Sequence, residues 1–109
     1  MKRHSVRWAD VAASDLARII DFIARDSPIN AGRVADTLEA LARSLEYLPG
    51  RGRVVRELIR HGVRDWLEIG AAPWRLIYRV KGRQVEVVAL VDGRRQLDDL
   101  LFERLMASG

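Results

Sequence analysis

The chain of 109 residues has no cysteine, and its only lysines are Lys2 and Lys81. Without cysteine there is no disulfide, no thiolate-bound zinc and no thiol nucleophile. Long apolar runs are missing too: no stretch approaches the ~20 residues that a membrane span needs. The N-terminus, Met1-Lys2-Arg3-His4-Ser5-Val6-Arg7-Trp8, carries basic residues with no apolar segment behind them, unlike a secretory signal. These absences point to a cytoplasmic protein with no membrane partner. His4 and His61 are the only histidines and lie far apart, so no metal site and no cofactor are expected. His61 is a minor candidate base. There is no Gly-x-Ser-x-Gly nucleophile elbow. Gly50-Arg51-Gly52 opens a strand rather than a helix, which argues against a phosphate-cradling loop.

What is present suits one folded domain spanning residues 1–109. Hydrophobic residues make up 49% and charged residues 31%, which excludes wholesale disorder. A chain of this length buries roughly 65% of its unfolded surface. The net charge of +4 is unevenly placed. Residues 1–50 carry seven basic and seven acidic side chains. Residues 51–95 carry ten arginines and Lys81 against five acids, a net +6. Residues 96–109 carry Arg104 against Asp98, Asp99 and Glu103. An arginine-rich zone suits phosphates or an acidic partner; it is equally compatible with a solvated face produced by coding bias. The three C-terminal acids, near the start of a helix, fit its dipole better than a paired-carboxylate site.

Periodicity gives the elements. Alternation over residues 4–8 predicts a strand. Leu16, Ile19, Ile20 and Ile23 then recur at helical spacing, with Asp15, Arg18, Asp21 and Arg25 between them; this predicts an amphipathic helix of about four turns with Asp10 as its N-cap. Ser27-Pro28 caps and starts a second helix running to about Tyr47. The short connection makes an antiparallel hairpin, and the alanines of the second helix allow close packing. Both helices are too long for a DNA-reading helix-turn-helix, and a third helix is lacking, so no sequence-specific DNA binding is expected. After Pro49-Gly50-Arg51-Gly52, strands are predicted over 53–59, 63–70, 74–80 and 84–91, with a turn at His61-Gly62 and a tight hairpin at Lys81-Gly82-Arg83. Leu97–Met106 closes the chain as a short helix. The expected fold is α+β: an N-terminal strand, then an antiparallel helical hairpin packed on a four-to-five-stranded, mainly antiparallel sheet, then a C-terminal helix. In strand 74–80, Trp74, Leu76, Tyr78 and Val80 face one way. Arg75, Ile77 and Arg79 face the other, presenting arginines on an otherwise apolar surface.

The run Trp74-Arg75-Leu76-Ile77-Tyr78-Arg79-Val80, followed by Val85–Val91 and Asp92-Gly93-Arg94-Arg95, resembles the C-terminal half of toxins of the RelE/ParE superfamily. Asp15-Leu16 on the first helix and Ala31 on the second are similar as well, so the resemblance extends over nearly the whole chain. It implies the toxin half of a bacterial type II toxin–antitoxin pair, bound and neutralised by a cognate antitoxin and of the kind that stabilises plasmids. RelE-type members cut mRNA on the ribosome with basic residues and often a tyrosine near the C-terminus; ParE-type members poison DNA gyrase. Here Leu97–Phe102 is apolar and acidic where that tyrosine would stand. Arg51, Arg53, Arg56 and Arg60 replace lysines and are poor proton donors, whereas cleavage needs an acid and a base or tightly placed charge. The resemblance therefore implies the ParE side, with gyrase as target. The alternatives are a ribosome-dependent endonuclease and a non-toxic relative that only binds antitoxin.

No catalytic residue is assigned. Arg75 and Arg94 or Arg95 match the superfamily's functional arginines, so Arg75, Arg79, Arg94 and Arg95 are the candidates for engaging the target. Arg75 and Arg95 are expected to converge on one face of the sheet. The competing expectation is that Arg75 pairs with Glu68 or Glu86 on a neighbouring strand. Trp66 and Trp74 are candidate anchors of a partner interface; with Trp8, they suit core or interface better than base stacking.

Overall fold

Val6 and Trp8 alternate with Ser5 and Arg7, and this period of two forms β1 (Ser5–Trp8). The computed structural model describes residues 3–93 and 99–107. Helix α1 (Asp10–Ala24) packs on the sheet through buried Ala12 and half-buried Leu16 and Ile19. Its N-cap is Ala9, not Asp10, and Asp10 instead places its charge in the first turn, where the helix dipole favours it. Helix α2 (Pro28–Arg43) starts as predicted: the Ser27 hydroxyl accepts from the Asn30 amide at 3.1 Å, and Pro28 follows the cap. It ends at Arg43, and the chain continues to Glu46 as a tighter 3₁₀ turn.

The sheet has the order β1-β5-β4-β3-β2. Its remaining strands are β2 (Arg53–Val54), β3 (Leu67–Ala71), β4 (Trp74–Lys81) and β5 (Gln84–Asp92). All pairings are antiparallel except that of β1 with β5, which is parallel. Gly82, at φ +57°, supplies the left-handed residue that the β4–β5 hairpin requires.

Two predicted strands are shorter than expected. Residues 53–59 are not one strand, because β2 stops at Val54 and Arg56–Ile59 makes a single helical turn, α3. The turn points Val55 and Leu58 the same way, into a second apolar core. An extended chain would have sent them to opposite faces. Residues 63–66 likewise lie outside β3, which lets Trp66 enter that core. The last helix, α4, spans Asp99–Ala107, and Leu97 and Asp98 of the predicted span lie outside the described residues.

The sheet is therefore covered on both faces. On one face α1 and α2 pack on Leu76, Tyr78, Val85, Val87 and Leu90. On the other, Val55, Leu58, Trp66 and Leu105 close over Ile77, Val88 and Ala89. A bulge makes this possible: Ile77 pairs with Ala89 but Tyr78 with Val87, leaving Val88 as the extra residue of β5. Val88 and Ala89 can both enter the second core while Val87 and Leu90 stay in the first.

Candidate functional site

The arginine-bearing face of β4 is not a bare basic surface. Two rows of alternating charge run across the strands on either side of the second core. In the first, Arg53 on β2 donates to Glu68 on β3 at 3.0 Å, and Glu68 accepts from Arg75 Nε on β4 at 2.7 Å and from Arg75 Nη2. Glu57 on α3 completes the row. Its two oxygens accept from Arg75 Nη1 and Nη2 at 2.9 and 3.0 Å, the paired-fork geometry in which a guanidinium holds a carboxylate. The side chains of Arg75 and Glu68 are largely buried, and the bonds that Arg75 donates to Glu57, then to Glu68, raise its pKa above the usual value against the opposing effect of burial. In the second row, Glu86 on β5 accepts from Arg7 on β1 and from Arg79 on β4, the latter at 3.2 Å. The Arg79 guanidinium lies over the Trp66 ring at 4.7 Å, a cation–π contact.

The expected site residues up to Gly93 now have a place. Arg75 pairs with Glu68, as the cross-strand alternative expected, and with Glu57. Glu86 belongs to Arg79 and Arg7, not to Arg75. Trp66 is 3% exposed, so it supports Arg79 from beneath. Trp74 is half-buried and lines a cleft of about 490 Å³ between α3 and the β3–β4 hairpin. Arg53, Arg56, Glu57, Glu68 and Arg75 also line that cleft. Arg94 and Arg95 lie outside the described residues, as does their expected convergence with Arg75. His61 sits in the turn after α3, its ring 4.4 Å from that of Phe102 on α4.

Asp15, placed by the sequence on the polar side of α1 and within the superfamily resemblance, has a structural role that neither reading assigns. Asp15 is buried, accepts from the Leu90 amide at 3.0 Å, and pairs with Arg104 and Arg18. Its position in the helical pattern gives a sign of Arg18 alone, at i+3, because the Leu90 amide and Arg104 come from β5 and α4. Among the described residues, no group of His, Asp or Glu is placed to hold a metal ion, and no helix is long and apolar enough to cross a membrane.

The five-stranded sheet carries an N-terminal helical hairpin on one face and its arginines on the other, and the chain is a toxin of the RelE/ParE superfamily. Residues 6–97 match the ParE toxin of type II toxin–antitoxin systems, parDE, and the chain belongs to that family. Among solved structures it is similar to the chromosomal ParDE TA system from P. aeruginosa. The TM-score is 0.70 at 21% identity, over 84% of this chain and 98% of that one. It is also similar to the toxin–antitoxin complex RelBE2 from Mycobacterium tuberculosis, with a TM-score of 0.60 at 20% identity over 84% and 93%. No curated protein matches the chain.

Proposed function

We propose that this type II toxin acts by binding, with DNA gyrase as its target, and that a cognate antitoxin neutralises it. The observation that favours binding over cleavage is the side-chain set of the cleft around Arg75. Arginines and two carboxylates line it, both carboxylates already held by guanidinium groups, and no described histidine, tyrosine or lysine lines it. Strand cleavage through a 2′-hydroxyl needs groups that give and take protons near neutrality. Protein recognition needs only charge and shape. The family match over residues 6–97 supports the same side. Both solved relatives are named as toxin–antitoxin systems, which supports an antitoxin partner here and, with gyrase as target, a cytoplasmic site of action.

The test is gyrase supercoiling and cleavage-complex assays with purified protein, run beside in vitro translation. Inhibited supercoiling with intact translation is expected. A second reading, ribosome-dependent mRNA cleavage, is the RelE-type alternative that the sequence resemblance leaves open, with Arg75 matched to the superfamily's strand arginine. Codon-specific cuts in a translating extract, lost on changing Arg75, would replace the first reading with the second. A folded protein inactive in both assays that still binds antitoxin is the non-toxic relative.

A further inference from the structure

Arg75 is held by two carboxylates in unequal ways. Glu68 stands on a strand with its side chain 5% exposed, and its other oxygen is fixed by Arg53. Glu57 stands on a single helical turn with its side chain 26% exposed. Ion pairs shut away from water resist separation because each partner would be left uncompensated, whereas pairs in reach of water exchange at little cost. Of the two carboxylates, Glu57 is thus the one more readily exchanged, and it is the one that takes the Nη1–Nη2 fork with both oxygens.

Among the described residues of the cleft, turning the Glu57 side chain out to solvent would leave Arg53, Arg56 and Arg75 around Glu68, three positive charges against one negative, a net +2. The same cleft has Ala72, Pro73 and Trp74 as an apolar wall. We propose that Glu57 is the internal occupant of a carboxylate-recognition site, and that an acidic side chain of a protein partner displaces it from Arg75. A carboxylate is favoured over a phosphate because the fork is already fitted to a planar two-oxygen group. Glu68, fixed beside the fork, also repels a dianion more strongly than a monoanion. The apolar wall suits the residues that flank an acidic side chain in a peptide. This deepens the binding reading by naming the chemistry through which Arg75 engages its target, and it rests on Arg75 doing so.

The test titrates a capped tetra-glutamate peptide, and separately inorganic phosphate, into the wild-type chain and Glu57→Gln. The signals followed by NMR are the Trp74 indole N–H and the Arg75 Nε–H. The expected result is that the peptide moves both signals and binds about tenfold more tightly to Glu57→Gln, the effect of removing one charge-assisted competitor. Phosphate is expected to bind more weakly than the peptide in both proteins. Equal peptide affinity in the two proteins, shifts confined to other residues, or tighter binding of phosphate would each overturn the proposal. Should Glu57→Gln not fold, Glu57→Asp withdraws the carboxylate by one methylene; a gain in peptide affinity is expected there, and no gain overturns the proposal equally. Gyrase inhibition by the wild-type chain is measured in parallel. Inhibition without Glu57-dependent binding sinks this inference alone, and Glu57-dependent binding without inhibition sinks the gyrase target alone.

Discussion

Asp15 and Arg104, 89 residues apart, meet at the bulge of β5: Arg104 Nη2 donates to Asp15 Oδ2 at 2.7 Å. The same Arg104 nitrogen donates to the carbonyl of Val88, the bulged residue, at 3.0 Å, and Asp15 Oδ2 accepts the Leu90 amide at 3.0 Å. The pair therefore satisfies backbone groups on either side of the irregularity, and it ties α1 to α4 across the end of the sheet. The Asp15 side chain is 4% exposed and that of Arg104 25%. Asp15→Ala leaves a buried amide and a half-buried guanidinium uncompensated, and about 3 kcal/mol of stability should be lost. Asp15→Asn should cost less, since its amide oxygen can still accept from Leu90. Arg104→Met should cost least, because Asp15 keeps Leu90 and Arg18. Urea denaturation of the three variants measures this order; an Asp15→Ala protein within about 0.5 kcal/mol of wild type would refute it.

Gly52 lies where the chain crosses the Tyr78 hydroxyl. A Cβ there would stand 2.5 Å from Tyr78 Oη and 2.8 Å from the Glu68 carbonyl oxygen. The carbonyl belongs to a strand and cannot step aside. Gly52→Ala should destabilise by about 1–3 kcal/mol, as overpacking does. Gly50→Ala is the control, with nothing within 4 Å of the added methyl. Its thermal midpoint should stay close to that of wild type, and equal losses in the two variants would contradict this account.

The Tyr78 hydroxyl donates to the Pro49 carbonyl at 2.7 Å and accepts the Gly52 amide at 2.9 Å. Burial raises its pKa above the usual phenol value, with the Gly52 amide and the Arg51 charge opposing the rise. A pKa raised on folding stabilises the fold while the group is protonated. That contribution is complete below the unfolded value of about 10 and is lost as pH climbs through the folded value. Tyr78→Phe should melt lower than wild type at neutral pH, by about 1–3 kcal/mol for the two orphaned backbone groups. The gap should narrow as pH rises above about 10. Melting curves of both proteins across that range decide it: a gap that widens at high pH has the wrong sign.

Much of this was legible in the sequence, and the remainder was not for identifiable reasons. The stripe of α1, the Ser27-Pro28 start of α2 and the β4–β5 hairpin are local patterns, and all three stand where the pattern put them. Residues 53–59 depart from the predicted strand because Val54-Val55 and Leu58-Ile59 suit either a strand or a helical turn. What selects the turn is the second core, built from residues of four further segments. The same ambiguity also hides Glu57: on an extended chain there is no reason to place it over Arg75, whereas the α3 turn does so. Glu68 was accessible to sequence reasoning because cross-strand pairing within an adjacent hairpin is local. Arg18, three residues on, is the local partner of Asp15; the other two lie 75 and 89 residues away, and no periodicity carries that information.

Arg75 is a harder residue to test than the sequence suggested. On an open face, Arg75→Ala would keep its stability and lose only activity. Here the change leaves Glu57 and Glu68 facing each other without their shared cation, and about 2–3 kcal/mol should be lost, less than for a wholly buried pair because Glu57 reaches water. Lost growth inhibition in that variant would not separate function from folding. Neutralising the whole row does separate them. In Arg75→Met combined with Glu57→Gln and Glu68→Gln, none of these three positions of the row keeps a charge, and exchanging a buried ionic cluster for neutral groups is often close to neutral in stability. Arg53 loses its partner, but its side chain is 76% exposed, so the cost is small. The triple variant should melt near wild type, within about 1 kcal/mol, and should no longer inhibit growth when expressed without antitoxin. Arg79→Met with Glu86→Gln applies the same logic to the second row, with Trp66 still in place beneath. A triple variant that is folded and fully toxic would remove Arg75 from the functional surface and leave the second row, and the arginines beyond Gly93, as the remaining candidates.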